Sequence, residues 1–140
     1  MSIEEKIAAI AAGDEFAQYT YIFDNLYRID ERVNTSVLPA LLCTLPMDGV
    51  IEIRNGRVYD TETIKLGFVD IIPHDANGED NAEVYNRMKA LGIQFIMAMR
   101  KSGMFGQVTT LGYTVEVAQF SNIVTGVFFD IQVQDIGRCD

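Results

Sequence analysis

Positive charge is scarce in this chain: 11 Lys and Arg stand against 20 Asp and Glu, for a formal net charge of −9. The basic residues are also scattered, whereas proteins that grip phosphate backbones gain affinity from clustered Lys and Arg. Sequence-specific nucleic-acid binding is therefore not expected. Histidine is scarcer still, with His74 standing alone, and one imidazole provides no metal-ligand spacing. The two cysteines, Cys43 and Cys139, lack any CxxC or His-Cys spacing, so they read as free thiols and not as a zinc or redox motif. No apolar run approaches the roughly 20 residues of a membrane helix, and no basic segment followed by an apolar one opens the chain, so the expectation is a soluble product of the cytoplasm. Gly-rich phosphate loops, GxSxG elbows and HExxH helices are missing, and Cys43 has only the distant His74 as a possible partner. The expectation is no enzymatic activity and no cofactor.

What is present is an α+β pattern. The 140 residues fit one domain over residues 1–140, long enough to bury a core without disulfide or metal staples. The segment that organises it is 80–102, where Val84, Met88, Leu91, Phe95 and Met99 recur at helical spacing. Asp80 with Glu83 reads as a capping box, and Gly103 suits the left-handed residue that ends a helix. Gly92 interrupts the stripe at about 1 kcal/mol relative to alanine. Ser2 with Glu5 forms a second capping pattern, opening a short helix in which Ile3, Ile7 and Ile10 make the apolar face and Gly13 the stop.

The remainder reads as strands. Residues 16–23, FAQYTYIF, are dense in aromatic and β-branched side chains. Residues 37–45 form a nearly continuous apolar run that holds Pro39 and is closed by Pro46, prolines that suit a strand start or edge better than a central strand. Asn55-Gly56 inside VIEIRNGRVY is a hairpin signal, because a type I′ turn needs positive φ at both central positions. Its second strand is expected to run on through IKLGFVDII, until PHDANG at 73–78 leads into the long helix. After that helix, 107–120 and 123–134 answer each other across Ser121-Asn122. In the last strand Ile123, Val127, Phe129, Ile131 and Val133 share a face, and Phe128 stands alone among the polar residues of the other. The fold expected is a largely antiparallel sheet packed by the long helix and a short N-terminal one.

His74 lies beside Asp75 in a stretch that also carries Asp70, Glu79 and Asp80. A metal or general-base site is one reading; a solvated loop with a helix cap is the simpler one. Met88, Met97, Met99 and Met104 read as core filler before a plastic binding surface. Tyr19, Tyr21 and Phe23 read as core or subunit contacts, since no basic cluster accompanies them.

A strand with Phe68, a helix opening on Asn81-Ala82-Glu83 and carrying Phe95, then Lys101-Ser102-Gly103-Met104-Phe105, and a last strand with Thr125-Gly126-Val127 ending near Cys139 resemble small neck and tail-terminator proteins of tailed bacteriophages and related prophages. The resemblance covers half to two-thirds of the chain, and its motifs are structural. It implies a non-enzymatic subunit that self-associates into a ring, stops growth of the tail tube and joins it to the head. The implied partners are tail-tube and head-connector proteins. The implied location is the neck of the virion, after synthesis in the host cytoplasm, with DNA crossing the lumen and no membrane involved. Exposed strand edges or the hairpin tip, Arg54, Asn55, Gly56 and Arg57, would supply contacts between subunits. The alternative is a small-ligand module with its pocket between the long helix and the sheet.

Overall fold

A computed structural model describes residues 2–24, 38–71, 77–117, 124–136 and 138–139. The element order is α1 (Ile3–Ala11), β1 (Thr20–Asp24), β2 (Ala40–Thr44), β3 (Asp48–Arg54), β4 (Arg57–Ile71), α2 (Gly78–Lys101), β5 (Phe105–Val117), β6 (Val124–Asp135) and β7 (Arg138–Cys139). Among the described residues these strands form one sheet in the order β1-β2-β4-β6-β5, with β3 and β7 also pairing with β4. Only β1 and β2 run parallel; the other pairs are antiparallel. The class is α+β, with one long helix and a short N-terminal one, as expected.

Both helices start at side-chain caps. Ser2 Oγ accepts the Glu5 backbone N–H at 3.1 Å, which is the cap read from the sequence. At α2 the cap is one turn earlier than expected. Asn77 Oδ1 accepts the Asp80 N–H at 3.0 Å, and Asp80 Oδ2 accepts the Asn77 N–H at 3.1 Å. Asp80 thus serves as the third residue of the box instead of the cap, where its carboxylate also sits in the favourable first-turn position of the helix dipole. At the far end Gly103 adopts φ 72°, the left-handed conformation expected of it.

The strand expected at 16–23 begins later, at Thr20. Phe16 is held in successive turns, with its N–H on Gly13 O and its carbonyl accepting from Tyr19. Its ring is buried at 5.0 Å from that of Phe95. Aromatic density here marks an anchor for the chain after α1, and β structure starts only where β2 supplies a partner at Thr20↔Ala40. The long second hairpin strand is continuous, 15 residues from Arg57 to Ile71.

Alternation along β4 sorts the core into two. Ile64, Leu66 and Phe68 meet Val127, Phe129, Ile131 and Val133 of β6 and the buried α2 stripe of Val84, Met88, Leu91, Phe95, Ile96 and Met99. Val69, on the opposite face, joins Ile22, Ala40, Leu42 and Phe128. Phe128 is therefore a core residue of the second face. Gly67 makes room for it, since a Cβ there would lie 2.8 Å from Phe128 Cδ1. Gly92 has the same role between α2 and the sheet: a Cβ would come within 2.9 Å of Phe129 Cζ and 3.0 Å of Phe68 Cδ2. The helix can lie this close because the residue at the crossing has no side chain.

Candidate assembly interface

The β3–β4 hairpin is the feature the core does not explain. β4 gives residues 66–69 to β2 and residues 61–71 to β6. Its first part, residues 57–63, pairs with β3, and β3 has no second strand neighbour among the described residues. Every residue of β3 is exposed. Val50, Ile51 and Ile53 are 60%, 67% and 73% exposed, although β-branched aliphatics form strands mainly by finding cover on a pleated surface. Ile51 and Ile53, with their partners Asp60 and Val58, follow the alternation of Ile64, Leu66 and Phe68. They lie on the face that α2 covers farther along β4. The hairpin carries the sheet beyond the cover of its helices.

The tip is built as expected. Asn55 has φ 53° and Gly56 φ 77°, the two positive values of a type I′ turn, which matches the strand twist. Arg54 and Arg57 are a cross-strand pair. The Arg54 guanidinium lies 4.2 Å from the centre of the Tyr59 ring, and its Nε is 3.4 Å from Glu52 Oε2. These contacts stiffen an exposed turn and are worth about 1 kcal/mol or less each. On its other edge the start of β4, next to the turn, meets β7, with Arg57↔Cys139 and Val58↔Arg138. All four residues named from the sequence thus lie at the tip. The aliphatic arm behind them was missed, because Val50, Ile51 and Ile53 read as an ordinary strand and nothing local says that no neighbour covers them.

Charged groups gather where α1 rests on the sheet. Lys6 Nζ reaches Asp135 Oδ1 at 2.5 Å and the Met104 carbonyl at 2.8 Å; the two side chains are 12% and 9% exposed. Beside them Glu62 is pushed up to about 7 from an ordinary 4.5, by burial first, then by a hydrogen bond with Glu4 and the charges of Glu4, Asp60 and Asp135. Burial likewise raises the Tyr21 phenol and pushes the Cys43 thiol up to about 12. A thiol held protonated is a poor nucleophile, and Cys43 is fully buried in the core cluster.

The remaining candidates separate. His74 and Asp75 lie outside the described residues. Asp70 is paired with Arg87 at 2.7 Å and accepts the Ile71 N–H, and Asp80 is part of the helix cap. Among the described residues no group of three or more His, Cys, Asp or Glu is placed to hold a metal ion. Met88 and Met99 are core, while Met97 is half exposed on the outer side of α2. Tyr19 and Tyr21 pack against the core, and Phe23 is 38% exposed. The space between α2 and the sheet is filled by Phe68, Phe95 and Phe129, whose rings meet at 5.9 and 5.7 Å. Two open concavities flank the exposed Ile93 and Met97, one of about 230 Å³ on the outer side of the helix and one of about 190 Å³ between the helix and the β5 side of the sheet. No helix among the described residues is long and apolar enough to cross a membrane. No protein-family model matches the sequence, and no curated protein matches it at a significant level.

Proposed function

We propose that this chain is a non-enzymatic structural assembly protein: a tail-terminator or neck-ring subunit of a tailed phage or prophage, which caps the tail tube and joins it to the head. The observation that carries the assembly reading is the hairpin arm, where Val50, Ile51 and Ile53 are more than half exposed on a strand with no buried residue. Exposed aliphatics grouped on the outer strand of a hairpin mark a surface made to be buried against another chain. The tail-end reading rests on the resemblance of the segment from Phe68 to Cys139. A net charge of −9 supports it further, because an acidic lumen lets DNA pass without retention. The partners proposed are further copies of this chain, the tail tube and the head connector, and the place of action is the neck of the virion.

The small-ligand alternative is less favoured, since the rings of Phe68, Phe95 and Phe129 fill the middle of the space between α2 and the sheet and leave only an open groove of about 190 Å³ at its β5 side. The test is static light scattering of the purified chain over a concentration series, beside an Ile51→Asp, Ile53→Asp variant. The proposal predicts a large species for the native chain and a monomer of 15.7 kDa for the variant. A native chain that stays monomeric throughout would overturn it.

A further inference from the structure

A hairpin arm that one chain leaves uncovered needs a receiving surface, and α2 with β5 has the matching properties. Among the described residues β5 is the far edge of the sheet and pairs only with β6. Ile93 and Met97 of α2 are each 48% exposed, and Tyr113 and Val115 of β5 are 50% and 41% exposed. Tyr113 lies on the helix side, 5.8 Å from Phe129. Between the helix and the strand runs a groove of about 190 Å³ lined by Ile93, Ile96, Met97, Arg100, Thr110 and Phe129. That is the scale of one or two branched aliphatic side chains, which Ile51 and Ile53 would supply.

Charge points to the same occupant. From Val84 to its end α2 has no acidic residue, and besides Arg87, which pairs with Asp70, it carries Lys89, Arg100 and Lys101 in a chain of net charge −9. The arm behind its tip carries Asp48, Glu52 and Asp60. Acidic strands flanking aliphatic residues complement a basic rim flanking an apolar groove, and they steer one copy onto the next. Plain edge-to-edge extension of the sheet is less suited to β5, whose pairing with β6 is irregular between Phe105 and Gln107 and between Thr110 and Gly112; such bulges blunt an edge.

We propose that the α2–β5 face receives the β3–β4 hairpin of a second copy of this chain, a contact that deepens the assembly reading above and rests on it. The two surfaces are different patches of one molecule, so the contact is head-to-tail: each copy both gives an arm and accepts one. Such contacts close into a ring when the rotation permits.

The experiment mixes two broken surfaces. One variant carries Ile51→Asp with Ile53→Asp, the other Ile93→Asp with Met97→Asp. All four positions are exposed, and far-UV circular dichroism with urea midpoints checks that each variant folds. Ser at the same positions serves for any pair that does not. Each variant alone is expected to need about a hundredfold more protein to assemble than the native chain. Mixed in equal amounts, they retain one good arm and one good groove, and the expected product is a dimer of twice the chain mass that grows no further. If the groove variant assembles like the native chain, or the folded mixture stays monomeric, the inference is overturned while native assembly leaves the proposed function standing. A native chain that never assembles overturns both.

Discussion

Replacing Gly92 with alanine is expected to destabilise the protein, against the rule for helix interiors. On propensity alone the change should stabilise by about 1 kcal/mol. The site reverses the sign. A Cβ on this residue would come within 2.9 Å of Phe129 Cζ and 3.0 Å of Phe68 Cδ2, and it would meet Phe129 Cε2 more closely still. The rings cannot step aside freely: Phe68 and Phe129 are 1% and 3% exposed, and Phe68 lies between Phe129 and Phe95. Overpacking of this kind costs about 1–3 kcal/mol, and two trapped rings put it at the upper end, leaving a net loss of about 1–2 kcal/mol. Urea unfolding reads this as a lower midpoint at unchanged slope. Gly78 is the control, since no described residue lies within 4 Å of a Cβ there and its alanine variant should be neutral or slightly more stable. A Gly92→Ala protein as stable as the native one would refute the claim that this glycine sets the distance between helix and sheet.

Three further outcomes follow from the buried charges and thiol. The folded state holds Glu62 near 7 against an ordinary 4.5, so it favours the protonated acid. That contribution is full below about pH 4.5 and is lost as pH rises through about 7. Glu62→Gln should therefore match the native chain in acid and exceed its stability above pH 7, with Glu4, Asp60, Asp135 and Lys6 left in place; equal melting profiles at both ends would contradict this. Lys6→Met should cost about 3 kcal/mol by leaving Asp135 buried without its cation, and Asp135→Asn on that background should restore part of the loss in a double-mutant cycle. In a Cys139→Ser background, Cys43 should resist alkylation in the folded protein and react once urea unfolds it; rapid labelling without denaturant would show that the thiol is neither buried nor protonated.

Signals written into short segments were legible in the sequence. The apolar row of α2, the Ser2 cap, the left-handed Gly103 and the Asn55-Gly56 turn each depend on a few adjacent residues and on backbone preferences that hold anywhere. The α2 cap shows the limit of that reading. Asn77 with Asp80 and Asp80 with Glu83 have the same spacing, and only the folded helix selects the earlier pair. Phe128 and Gly92 took their meaning from partners distant in the chain, one from Gly67 and the second face, the other from two β6 and β4 rings. The interface divides in the same way. The turn at Arg54, Asn55, Gly56 and Arg57 announced itself, but exposure of Val50, Ile51 and Ile53 is a consequence of the hairpin running past the part of the sheet that the helices cover, which no local pattern encodes.

Native mass spectrometry of the purified chain tests the central claim most directly. An assembly subunit joined by arm-to-groove contacts predicts one dominant species at a fixed integer multiple of the 15.7 kDa chain, with a central hole in negative-stain images. A spectrum holding only the monomer at the highest workable concentration would contradict it.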